Sequence, residues 1–178
     1  MIPYSRDVSA IRLEPLSAAH LEAVRALVAD PEVLHFTRVP EPVPAGFPEQ
    51  WLGRYEEGRR EGSREAFAIE DAATAVFLGL ALVPTIDREA QTAELGYIVA
   101  SGARGRGVAS EALRLLTDWA FSELGAVRLE LLISVDNSAS KRVAERCGYE
   151  REGVLRSIHL KQGVREDTEI WSRLAGEV

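Results

Sequence analysis

The residues of this chain whose types and spacing could do chemistry gather in Tyr97–Leu113, where Arg104, Gly105, Arg106 and Gly107 occupy consecutive positions. An apolar strand is expected to end near Val99, and a helix to open at about Val108. A turn of small and basic residues feeding a helix start is an anion site. The first helical amides lack intrahelical partners, and the helix dipole adds partial positive charge there. Glycine lets the backbone approach an anion with no Cβ in the way. Arg104 and Arg106 supply guanidinium groups suited to phosphate oxygens, unless one of them simply stands in solvent. Ser110, in the first helical turn, adds a hydroxyl. The pattern predicts a turn that holds the pyrophosphate of a nucleotide-bearing cofactor.

Two common phosphate loops fit poorly. A Walker loop needs Gly-Lys-Ser/Thr after its glycines, and neither the lysine nor the hydroxyl is present. A dinucleotide-binding turn needs Gly-x-Gly-x-x-Gly and an acid about twenty residues on. Here Gly105-Arg106-Gly107 runs into Ala109 and Ser110. The stretch Arg104-Gly105-Arg106-Gly107-Val108-Ala109 instead resembles the Arg/Gln-x-x-Gly-x-Gly/Ala loop of the Gcn5-related N-acetyltransferase (GNAT) family. Downstream, Asn137–Val143 and Cys147–Arg156 are similar to that family's closing half, in particular to the branch of ribosomal-protein N-terminal acetyltransferases. The resemblance runs from about Ile11 to Leu174.

That resemblance carries specific expectations. The cofactor is acetyl-CoA, used as a co-substrate without a metal. Its pyrophosphate lies on Arg104–Ser110, and its pantetheine arm lies between two splayed central strands. A backbone N–H near Ile98 or Val99 faces the thioester oxygen, and Asn137 bonds the arm as well as capping its own helix. Glu94 is the expected general base, acting through water. An unperturbed glutamate, at roughly pH 4.3, is a weak base for an ammonium, so burial or a water chain must help; the alternative is a strand residue paired with an arginine. The family's acid tyrosine is missing, since Ala144 stands at its position. In the ribosomal-protein branch a serine stands at the position of Ser140, which is the expected partner of the departing sulfur. Trp51 and Tyr55 either line the acceptor site or pin a marginal helix to the core. Tyr149 and Cys147 read as core residues.

The elements that must position these groups follow from periodicity and turn chemistry. Strands are expected at Ile11–Leu16, Ala66–Glu70, Ala75–Val83, Thr92–Val99, Arg128–Val135, Tyr149–Arg156 and Glu166–Leu174. Gly96, inside its strand, suggests a bulge or a close backbone approach. Helices are expected at Ala18–Ala29, stopped by Asp30-Pro31, at Pro48–Glu61, at Val108–Leu124 and at Asn137–Gly148. The fold expected from this order and the resemblance is α/β, a mixed, mostly antiparallel twisted sheet of about seven strands with four helices, in one domain over residues 1–178.

Composition bounds the rest. The chain has 178 residues, 46 % of them hydrophobic and 28 % charged, with a net charge of −7. The acidic balance argues against a nucleic-acid partner and suits attraction of a cationic amine. One cysteine excludes an internal disulfide, and with three scattered histidines it leaves no metal cluster in view. No run approaches the roughly 20 apolar residues of a membrane span, and Met1–Ala10 has no apolar leader pattern. The expected location is cytoplasmic. The expected partner is an amine acceptor, either a protein N-terminus or a small amine, with no nucleic acid and no membrane, and a homodimer is compatible with the resemblance.

Overall fold

The computed structural model describes residues 10–177; the leader reading of Met1–Ala10 lies, but for its last residue, outside them. Seven strands form one sheet. They are β1 (Ile11–Pro15), β2 (Glu65–Asp71), β3 (Phe77–Asp87), β4 (Thr92–Val99), β5 (Arg128–Ser134), β6 (Glu150–Lys161) and β7 (Val164–Leu174), in the order β1-β2-β3-β4-β5-β7-β6. Every neighbouring pair is antiparallel except β4 and β5.

The five α-helices are α1 (Leu21–Leu27), α2 (Pro31–Phe36), α3 (Phe47–Glu61), α4 (Val108–Ser122) and α5 (Ser138–Arg146). Four were expected. The additional one is α2, and it opens at the pair read as a stop signal. Asp30 caps it by accepting the Glu32 amide at 2.8 Å, and Pro31 sits in its first turn, where its missing N–H is no loss. The same two residues therefore end one helix and start the next.

The helices cover both faces of the sheet, giving two cores. On one face, α4 buries Ala112, Leu113, Leu116 and Ala120 against Leu95 of β4 and against Leu129, Leu131 and Ile133 of β5. The 3.6-residue stripe of α4 thus meets the two-residue alternation of the strands. Full burial of a leucine such as Leu113 or Leu116 contributes about 2 kcal/mol. On the other face, Val24, Leu27, Val33, Trp51, Leu52 and Tyr55 pack against Ala66, Leu80 and Ile98. Leu95 and Ile98 point to opposite faces, so β4 serves both cores.

Two features of β3 and β4 shape the middle of the sheet. The ladder slips between Leu82 and Thr85, which oppose Gly96 and Glu94, so the extra residue of the bulge is on β3 rather than at Gly96. A Cβ added at Gly96 would meet nothing within 4 Å, whereas one at Gly79 would collide with the Ile98 carbonyl. The close backbone approach is therefore at Gly79, with φ of +156°.

The hairpin of β6 and β7 is longer than expected, because Gln162 and Gly163, both at positive φ, close a tight two-residue turn that lets both strands run to it. Near its tip the Lys161 ammonium donates to the Thr37 carbonyl, just after α2, at 3.0 Å.

Gly79→Ala is expected to lower the unfolding free energy by about 3 kcal/mol, because strand backbone must move to admit the methyl group. Gly96→Ala should be neutral or stabilising by about 0.5 kcal/mol. Urea unfolding measures both; equal midpoints for the two variants would contradict the close approach at Gly79.

Candidate active site

The pairing of β4 with β5 stops early. It runs from Thr92↔Arg128 to Leu95↔Leu131 and goes no further. Beyond that point β4 remains bound to β3 through Ile98 and Val99, and β5 remains bound to β7 through Leu132, Ile133 and Ser134. The two strands therefore part, and the β5-facing edge of Gly96–Val99 has no strand partner.

A groove of about 370 Å³ opens at the parting. Its walls include Ile98 and Val99 from β4, the turn and helix start at Arg104, Gly105, Gly107, Val108, Ala109 and Ser110, and Asn137 and Ser140 at the head of α5. Gly105 and Gly107 have φ of +74° and +81°, and Gly107 is the N-cap of α4. A Cβ on either would meet nothing within 4 Å. It is the left-handed backbone, not crowding, that requires glycine there. The result is an open cradle of helix-start amides, which fits a diphosphate.

Of the two arginines of the turn, one lines the cradle and the other stands in solvent. Arg106 is exposed and does not line the groove; its charge acts on Asp71. Arg104 lines it, but two acids of α2 take its guanidinium: Asp30 at 2.8 Å and Glu32 at 2.7 Å. Its Nε also donates to the Val99 carbonyl at 3.1 Å. Burial works against the Asp30 carboxylate, but the Glu32 amide and Arg104 outweigh it and hold its pKa below the ordinary value. Arg142 and Arg146 of α5 also face the groove, and neither has a carboxylate partner among the described residues. Their spacing of four puts them on one helical face, a signal present in the sequence.

A second cavity, of about 440 Å³, lies on the opposite side of β4 and shares Tyr97 and Ile98 with the groove. Trp51, Tyr55 and Glu94 line it. Trp51 and Tyr55 belong to the core as well as to the cavity wall. The Trp51 ring lies edge-on to Tyr55 at 5.4 Å and stacks on Phe47 at 6.2 Å. The Glu94 side chain is 19 % exposed, and its Oε1 accepts from Arg38 at 2.9 Å. Glu94 is therefore both paired with an arginine and part of this cavity's wall. Three guanidinium groups, on Arg38, Arg54 and Arg64, line the cavity with one carboxylate, Glu94. Its local charge is opposite to that suggested by the net −7.

Tyr97 was not among the expected site residues. It stands at the parting of the strands, borders both spaces and donates from its hydroxyl to the Ser140 carbonyl at 3.4 Å. Burial pushes its pKa up to about 12, and that of Tyr55 likewise to about 12. The signal was the absence of the expected tyrosine on α5, where Ala144 is fully buried. Tyr149 is core: its hydroxyl pairs with Thr117 at 2.7 Å. Cys147 is core too, with its thiol donating to the Ser110 carbonyl and its pKa raised by burial. Trp171 is buried and donates to Glu169 at 3.0 Å.

Comparison with known proteins fixes the family. The profile of the family described as "Acetyltransferase (GNAT) domain" matches residues 10–150. The chain belongs to that family. Among its GNAT relatives, the probable N-acetyltransferase YjcK of Bacillus subtilis (strain 168) is 34 % identical over 120 residues, covering 67 % of this chain and 66 % of YjcK. The match thus spans just under two thirds of that relative's length. The L-amino acid N-acetyltransferase AaaT of Escherichia coli (strain K12) is 30 % identical over 154 residues, covering 86 % of this chain and 91 % of AaaT. The GNAT fold itself recurs in RimL, a ribosomal-protein α-N-acetyltransferase solved with coenzyme A. The TM-score is 0.84 at 20 % identity, with 94 % and 95 % of the two chains covered. Among the described residues no helix is long and apolar enough to cross a membrane, and no His/Cys/Asp/Glu group could hold a metal.

Two outcomes are expected from this geometry. Arg142→Ala and Arg146→Ala should each weaken coenzyme A binding roughly fivefold, and more at low salt. Arg106→Ala should change it less than twofold, with calorimetric titration as the measurement. Stability should also fall on alkaline titration. Unfolded phenols ionise from about pH 10, whereas folded Tyr55 and Tyr97 hold their protons to about 12. Between those values the unfolded state is favoured by up to about 1.4 kcal/mol per pH unit per phenol, so the melting temperature should drop above pH 10 and Tyr97→Phe should lessen the drop.

Proposed function

We propose that the protein is an acetyl-CoA-dependent N-acetyltransferase in which a primary amine attacks the thioester directly. The observation that carries this reading is the parting of β4 and β5 beside the glycine cradle. It supports the reading by setting the glycine turn, a β4 edge without a strand partner and a second cavity beside one another. Bound along the groove, acetyl-CoA supplies an activated acyl group.

The chain's own residues do the rest. The amides of Gly107–Ser110 hold the diphosphate with Arg142 and Arg146. The β4 backbone N–H of Val99, on the edge that faces β5, donates to the acyl oxygen as charge gathers there; the Ile98 amide and carbonyl are turned to β3 instead. Glu94 takes the ammonium proton through water, freeing the nitrogen lone pair. The new bond is N–C and the broken one is C–S. The nitrogen sheds a second proton as it becomes an amide, and that proton balances the released thiolate. Tyr97, or the Ser140 hydroxyl beside it, donates a hydrogen bond to the sulfur. A phenol raised to about 12 facing a thiol of roughly 8.5 stays protonated, so Tyr97 steadies the thiolate without surrendering its proton.

The acceptor in this reading is a primary amine entering past Trp51 and Tyr55, either a protein N-terminus such as that of a ribosomal protein or a small amine. A non-catalytic acyl-CoA-binding module is the second reading. It is favoured by the Arg38–Glu94 ion pair, which engages the base, and by Ala144 standing where the family often has a tyrosine.

Thiol release from acetyl-CoA against a panel of amino acids, polyamines and short peptides separates the two readings. Turnover with at least one amine is expected. Glu94→Gln should cut kcat by about 100-fold and Tyr97→Phe by about 10-fold. Because Tyr97 keeps its proton to about pH 12, the rate should show no loss from its ionisation between about pH 7 and 10. Tight binding of coenzyme A with no turnover on any amine would establish the module instead.

A further inference from the structure

Direct attack on a thioester requires one base near the amine and nothing cationic. The second cavity nevertheless presents Arg38, Arg54 and Arg64. Arg38 is held by Glu94 at 2.9 Å and is half exposed. Among the described residues Arg54 and Arg64 have no carboxylate partner, and both act electrostatically on the Tyr55 phenol at the cavity wall. Two unmatched cations thus border the space that the acceptor enters.

Both are exposed at the edge of the cavity, and each has a contact that restrains it. Arg54 lies over the Phe47 ring, with Cζ 6.0 Å from the centroid. That contact restrains the guanidinium beside the ring. Arg64 lies across α3 at Gly58, where an added Cβ would come within 2.6 Å of the Arg64 Cβ. A glycine inside a helix costs about 1 kcal/mol relative to alanine, and here it leaves room for the arginine's stem. The glycine that weakens this helix therefore has a steric reason.

We infer that the acceptor bears a carboxylate beside its amine, as a free α-amino acid does, and that Arg54 and Arg64 select it, on the reading that this cavity receives the amine. Glu94 attends the ammonium end of such a molecule and the two arginines its carboxylate, so the zwitterion meets complementary charge at both ends. A polyamine has only positive charge to offer and must face three guanidinium groups with one carboxylate. The same handle could be met by an acidic side chain next to a peptide N-terminus.

The test compares leucine, leucinamide, spermidine, and two short peptides with aspartate or alanine in second place, as acceptors for the full chain at saturating acetyl-CoA. Leucinamide has the less basic amine, so without a carboxylate handle it reacts at least as fast as leucine. The expected result is kcat/KM roughly tenfold higher for leucine than for leucinamide, carried by KM, with spermidine lowest. Arg54→Gln with Arg64→Gln should collapse the leucine-to-leucinamide ratio towards one, and Arg64→Glu should move the preference towards spermidine. Leucinamide or spermidine equalling leucine in the wild type, or a ratio that survives the double substitution, would overturn the inference. If the aspartate peptide outperforms leucine with the same arginine dependence, the carboxylate handle stands and the free amino acid is replaced by an acidic N-terminus. Thermal protection of the coenzyme A-bound protein by leucine against leucinamide gives the same comparison without turnover. Failure of catalysis and failure of the carboxylate handle are thereby read separately.

Discussion

The molecule turns on a parallel pair of strands that is allowed to come apart. Backbone N–H and C=O groups inside a sheet are ordinarily paired, and unpaired ones are costly when buried. Here β4 and β5 separate after Leu95 and Leu131, yet each is held on its far side, one by β3 and the other by β7. Those outer ladders keep the opening from closing. The collision that any side chain at Gly79 would make with the Ile98 carbonyl shows how closely β3 is drawn against β4 at the place where β4 has no partner on its other edge.

The two spaces that result are joined mechanically as well as chemically. Helix α2 walls the groove through Glu32 and Val33, and the chain that follows it, from Phe36 to Pro40, walls the second cavity. Arg104 fastens the glycine turn to the start of α2 through Asp30 and Glu32, and Lys161 fastens the tip of the last hairpin to Thr37. Whatever shifts Arg104 therefore bears on the segment beside the second cavity. Around a net charge of −7, both spaces are lined with more guanidinium than carboxylate. Overall charge is a poor guide to a site because Coulomb interactions in salt solution fall off within about 10 Å.

Much of this was legible in the chain. Leu129, Leu131 and Ile133 alternate, and the α4 stripe repeats at helical spacing, so the core elements could be placed without coordinates. The glycine turn at Gly105–Gly107 was readable because positive φ and helix-start amides are local properties. The helix at Pro31–Phe36 was missed because a residue before proline disfavours helix, while the same Asp-Pro pair also makes a good helix start. The length of the β6–β7 hairpin was missed because its pairing depends on a two-residue turn and two bulges more than on hydrophobic alternation.

What the sequence by itself determined was local: which segments alternate, where helices begin, and that a left-handed glycine turn lies ahead of Val108. Those properties depend on neighbours within a few positions. Only the tertiary structure decided which charges meet. Arg104 is taken by acids more than 70 residues away, Glu94 is held by Arg38, Arg142 and Arg146 reach the groove, and Tyr97 stands where β4 and β5 part. Long side chains on separate elements find partners according to how the sheet twists and the helices dock, and no spacing along one chain encodes that.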